Sequence, residues 1–146
     1  MATKTSPKKA FSGFSDEERA AAKERILELK AESERTIGVK DVLAKIAKLP
    51  EPDRGLAKRV HTIVMNAAPK LTPKLWYGFP AYARKDGKLV CFFQYASKFK
   101  ARYSTVSFAD SAHLDEGNMW PVVFAVAKIT PTEENKIATL VKKAVG

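Results

Sequence analysis

Cysteine is almost absent from this chain. Cys91 is the only one, so no internal disulfide can form, and a reducing cytoplasm is the expected setting. Long apolar runs are missing too. None approaches the ~20 residues that cross a bilayer, so the reading contains no membrane span. The first fourteen residues hold lysines and a proline but no apolar stretch. Residues 1–14 therefore read as a disordered basic tail and not as a secretory signal. There is no glycine-rich phosphate loop, no nucleophile elbow, no paired metal-ligand spacing and no internal repeat. Each gap removes a familiar catalytic class, and the expectation is a binding protein in place of an enzyme.

Acidic residues are the other shortage. There are 16 Asp and Glu against 26 Lys and Arg, a net charge of +10. Residues 1–36 hold eight basic and seven acidic side chains, whereas residues 37–146 hold eighteen and nine. The excess therefore sits in the folded part, where it attracts anions from phosphorylated metabolites to nucleic acids. The lysines are scattered and form no single run, which describes a solvated surface equally well.

A chain of 146 residues fits one domain. Ser15 with Glu18 three residues later forms a capping box, and Asp16, Glu17 and Glu18 suit the positive end of a helix dipole. The predicted helix runs to about Arg35, with only Ala22, Ile26 and Leu29 as an apolar stripe. It is expected to be peripheral, over residues 15–36. Ile37-Gly38 is read as a break. Val39, Val42, Leu43, Ile46 and Leu49 then recur at helical spacing up to Pro50 and Pro52. Asp53 is a candidate cap for the next helix, whose stripe is Leu56, Val60, Ile63, Val64 and Ala67. His61 lies at the edge of that stripe.

Beyond Tyr82 the period changes to two. Ala81–Arg84 and Leu89–Gln94 flank a turn containing Asp86-Gly87, a strong hairpin signal. Lys100–Phe108 alternates, and Val122–Val126 reads as an interior strand. Thr130, Pro131 and Glu133 open a closing helix that buries Ile137, Leu140, Val141 and Ala144. Short turns between consecutive strands require antiparallel pairing. The predicted fold is therefore α+β, an antiparallel sheet of four to five strands with helices packed on one face, as a single domain over residues 37–146.

The stretch that joins the two halves, Leu71–Tyr82, reads LTPKLWYGFPAY. Trp76-Tyr77-Gly78-Phe79-Pro80-Ala81-Tyr82, followed by Gly87-Lys88-Leu89-Val90-Cys91-Phe92-Phe93, resembles the family catalogued as domain of unknown function 1801. The resemblance covers roughly Asp41 to Val145. Phe79 stands where that family more often has Met. The resemblance implies an α+β domain and no established catalytic residues. Some relatives in the family are described as frataxin-like intracellular iron chaperones, which implies iron as a candidate cofactor.

Three chemistries compete for the site. In the first, Gly78 sits at positive φ, Pro80 is a candidate cis proline, and the turn pushes its aromatics outward. Trp76, Tyr77 and Tyr82 then line a cleft with Tyr95 and Trp120, with Lys100 and Arg102 as cations. That is a pocket for a small anionic or aromatic molecule. Packing of sheet against helices is the competing role for the rings, above all Trp76, Phe79, Phe92 and Phe93. Arg102 and Tyr103 alternate, so one of them is expected to face the helices. If that is Arg102, its charge needs Asp110, Glu116 or a bound anion. In the second chemistry, Asp110, His113, Asp115 and Glu116 have acceptable donor types for iron, in a pattern that short solvated loops also show. In the third, basic and aromatic residues interleave over Lys98–Tyr103, as in sheets that bind single-stranded nucleic acid. Cys91, in an apolar strand, is expected to be inert.

Overall fold

A computed structural model describes residues 13–146; most of the basic tail read at 1–14 lies outside them. The element order is α1 (Asp16–Ala47), α2 (Asp53–Ala67), β1 (Thr72–Trp76), β2 (Phe79–Ala83), β3 (Leu89–Gln94), a 3-10 turn (Ala96–Phe99), β4 (Ser104–Phe108), β5 (Val123–Val126) and α3 (Pro131–Val145). The fold is α+β, and its five strands form one antiparallel meander in the order β1-β2-β3-β4-β5.

Both predicted capping boxes are present. The Ser15 hydroxyl accepts from the Glu18 N–H at 3.1 Å, and Glu18 accepts in return from the Ser15 N–H at 2.8 Å. Glu133 accepts from the Thr130 N–H at 2.7 Å. Asp53 does not cap α2. It is buried at the first helical position and accepts from the Ser97 N–H at 3.0 Å, tying the 3-10 turn to that helix. Glu51 serves the α2 start instead, accepting from the Gly55 N–H at 3.0 Å.

Ile37-Gly38 does not interrupt α1, which is continuous for 32 residues. Glycine is needed here for space. A Cβ on Gly38 would stand 1.8 Å from the carbonyl oxygen of Pro73, so the helix backbone lies directly on β1. Only the C-terminal half of α1 is anchored in this way, through Ala31, Gly38, Val42 and Ile46. Asp16–Lys30 buries no residue, and the Ile26 and Leu29 stripe faces solvent.

Partners in an antiparallel pair share a face. One row across the sheet is Pro73, Tyr82, Cys91 and Phe108, all buried toward the helices; Phe93 and Val106 extend it. The other face carries the row Lys74, Ala81, Phe92, Ser107 and Val123. The helices pack on the first face, where His61 of α2 meets Tyr82. On the second, Phe92 is half-buried and Val123 is 59% exposed. β5 is accordingly an edge strand with an exposed side, not the interior strand its apolar run suggested, because it pairs with β4 alone.

Gly38→Ala tests the crossing. Helix propensity alone favours alanine by about 1 kcal/mol. The clash with backbone should outweigh that gain, for a net loss of about 1–3 kcal/mol by chemical denaturation. A higher midpoint for the variant would show that α1 and β1 are not in contact there.

Candidate functional site

The joining stretch is a β-hairpin, not a loop. Trp76 pairs with Phe79 across a two-residue turn, Tyr77 and Gly78, at φ 50° and 81°. Positive φ at both positions is the primed turn that matches strand twist. Gly78 thus has its expected conformation. Pro80 is not cis; the cis peptide among the described residues is Glu51–Pro52. Tyrosine is costly in the left-handed region, yet Tyr77 occupies it with 75% of its surface exposed. Its carbonyl accepts from the Lys98 ammonium, and the Gly78 carbonyl accepts from the Tyr95 hydroxyl at 3.4 Å. The 3-10 turn therefore grips the hairpin tip from below.

The predicted cleft residues separate into groups. Tyr82 lies in the core, fully buried, 2.9 Å from Nδ1 of His61, and burial raises its phenol well above the usual range. It lines no cleft. Tyr95 is buried against Phe79, ring centroids 5.1 Å apart. Trp120 is half-buried against the core. Lys100 is exposed at φ 53° and caps the 3-10 turn. Trp76 and Phe92, read chiefly as filler, lie together on the helix-free face, 4.8 Å apart, and Tyr77 adds its edge to Trp76 at 4.8 Å.

Arg102 is the main correction. It does not face the helices and has no buried charge to neutralise. β4 begins at Ser104, so the alternation read from Lys100 belongs to a loop leaving the 3-10 turn. Arg102 is exposed, with its guanidinium 5.4 Å from the centre of the Tyr103 ring. Arg102, Tyr103 and Tyr95 border a shallow concavity of about 220 Å3 with the paired Gln94 and Thr105. Gln94 lies two residues from Phe92 along β3 and so shares its face. The helix-free face therefore runs from Tyr77 and Trp76 through Phe92 to Tyr103 and Arg102. None of the five strands contains an acidic residue. Periodicity alone could have marked Phe92 as outward-facing once the parity of β3 was fixed by Cys91.

Asp110, His113, Asp115 and Glu116 do not come together. Nδ1 of His113 bonds the Gly146 carbonyl at 2.8 Å, and Glu116 pairs with Lys143 at 3.2 Å. Among the described residues no three His, Cys, Asp or Glu side chains group as metal ligands. Burial pushes the Cys91 thiol up to about 12, which leaves it unreactive.

No family model, no curated protein and no solved structure matches the chain.

Two measurements follow. Tyr77→Asn relieves the left-handed strain at the cost of a ring contact that is largely in water. The expected net gain is about 0.5–1 kcal/mol in unfolding free energy, and a loss would mean the ring is held more tightly than its exposure indicates. Burial lowers the pKa of His61 from its ordinary 6.5. The unfolded state therefore takes up the proton first. The stability tied to neutral His61 is complete above pH 6.5 and declines as pH falls below it. Melting temperature should drop as pH falls below 6.5, and His61→Gln should flatten that slope. Parallel profiles for the two proteins would remove His61 as the cause.

Proposed function

We propose that the chain binds single-stranded nucleic acid across the helix-free face of its sheet. The observation that carries this reading is that face itself. Half-exposed rings at Trp76, Phe92 and Tyr103 lie among Lys74 and Arg102, and no strand contributes a negative charge. Bases stack on such rings irrespective of sequence, while cations follow the phosphates. Residues 71–109 hold seven Lys and Arg against one acid, Asp86, so the positive excess is concentrated around the sheet. Tyr77 adds a third consideration. A strained, exposed aromatic at a hairpin tip is better accounted for by a contact with a ligand than by folding.

A small anionic or aromatic molecule at Arg102 is the narrower version of the same chemistry. The concavity there holds about 220 Å3, below the ~300–1,000 Å3 of ordinary small-molecule pockets. An extended ligand uses the face more fully. Iron carriage has no donor cluster among the described residues to support it. The resemblance to the domain of unknown function 1801 family stands as a proposal too. It is supported by the Trp76–Tyr82 motif forming one hairpin and the Gly87–Phe93 motif forming the next turn and strand. Among the described residues no helix is long and apolar enough to cross a membrane. Residence in the cytoplasm is proposed on the lone buried Cys91.

The test is fluorescence anisotropy with an oligothymidylate of about 12 nucleotides. If three or four phosphates are neutralised, affinity should fall about 100-fold from about 25 to 200 mM NaCl. Phe92→Ala and Trp76→Ala should each weaken binding roughly tenfold or more, since a stacked base contributes about 1–3 kcal/mol. No binding at low salt, or affinities untouched by both substitutions, would overturn the reading.

A further inference from the structure

A second place in the molecule has different chemistry. A cavity of about 620 Å3 lies on the other side of the fold. It is bordered by α1, the C-terminal end of α2, the turn after β2 and the end of α3. Leu27, Ala68, Leu71 and Val145 give it an apolar lining. Arg35, Lys70, Arg84 and Lys85 bring four cations to it, against Glu28 and Asp86. Its size and mixed lining are those of a small-molecule site.

Two of the cations are already engaged. Arg84 donates to the carbonyls of Ser111 at 2.8 Å and Ala144 at 2.9 Å, which closes the C-terminus of α3. Lys85 pairs with Glu24 and Glu28 of α1. Arg35 and Lys70 are less satisfied. Nη2 of Arg35 donates to the Lys70 carbonyl at 3.2 Å, but its Nε is buried with no acceptor among the described residues. Lys70 has no acidic partner among the described residues. A buried donor left unpaired is costly, and an anionic oxygen removes that cost more fully than a neutral one.

The wall in front of Arg35 is weakly anchored. Leu27 and Glu28 belong to the Asp16–Lys30 segment of α1, which buries no residue. Exposed ion pairs such as those of Lys85 hold a segment only weakly. We propose that this cavity binds a small amphiphilic carboxylate, apolar body between Leu27, Leu71 and Val145, carboxylate on Arg35 and Lys70, with the N-terminal half of α1 as its lid.

The probe is naphthoate, with the uncharged naphthyl methanol as control, titrated into the whole protein. Naphthoate should raise the melting temperature by mass action and move the methyl resonances of Leu27, Leu71 and Val145. The neutral alcohol should need at least tenfold more ligand for the same methyl shifts. Arg35→Met and the exposed Lys70→Met should each weaken naphthoate at least tenfold, whereas Phe92→Ala should leave it unchanged. Still methyl resonances at about 10 mM naphthoate, an affinity too weak to matter, would overturn the proposal. Equal binding of acid and alcohol would overturn it as well, as would both substituted proteins binding like the parent. Binding of oligothymidylate at the sheet is independent of every one of these outcomes.

Discussion

Helix α1 can cross strand β1 only where it carries no side chain. The Pro73 carbonyl fills the space a Cβ on Gly38 would need, and no rotamer change could relieve that, because both parties are backbone. The crossing fixes how closely the longest helix approaches the sheet and leaves Val42, Ile46 and Leu49 in position to close the core. It also divides α1 into an anchored half and one that extends past the sheet with nothing buried. The cavity under that second half exists because the helix continues straight past its last firm contact. A true break at Ile37-Gly38 would have let the chain turn away and left Arg35 in solvent.

With every helix on one face, the two sides of the sheet follow different rules. The helix side is selected for fit, and its polar groups are paired there, His61 with Tyr82 and Asp53 with the Ser97 amide. The other side has no packing partner among the helices, yet it keeps large rings at Trp76 and Phe92 among small residues such as Ala81 and Ser107. Ala81 and Ser107 are covered, and Trp76 and Phe92 above them keep part of their surface in solvent. The absence of acid from all five strands then gives that side a single electrostatic character.

Local signals were legible in the sequence and contacts between distant residues were not. The capping boxes at Ser15 and Thr130 and the Asp86-Gly87 turn depend on residues a few positions apart, and all three stand as read. Gly38 was misread because its function depends on a carbonyl 35 residues further on. β1 was missed because Thr-Pro-Lys-Leu-Trp holds a proline and a lysine, two residue types that strands disfavour. The Lys100–Tyr103 alternation was an accident of composition. A left-handed Lys100 redirects the chain before the strand begins, and so neither Arg102 nor Tyr103 takes the inward position that the alternation offered to one of them. Of the predicted cleft residues, Trp76, Tyr77 and Arg102 lie along the helix-free side, while Tyr82 belongs to the core.

The two margins of the sheet are unequal. β1 presents Pro73 and Lys74 and has α1 lying across it, whereas β5 is Val-Phe-Ala-Val, uncharged and free of proline. Unpaired strand margins template the addition of further strands, and proline and lysine suppress it. Growth from this sheet is therefore possible in one direction only. Two copies that met β5 to β5 would have consumed the sole permissive margin of each, and a third copy would find no place to join. The asymmetry makes such association self-terminating at a pair, where a sheet permissive on both sides would extend into a filament.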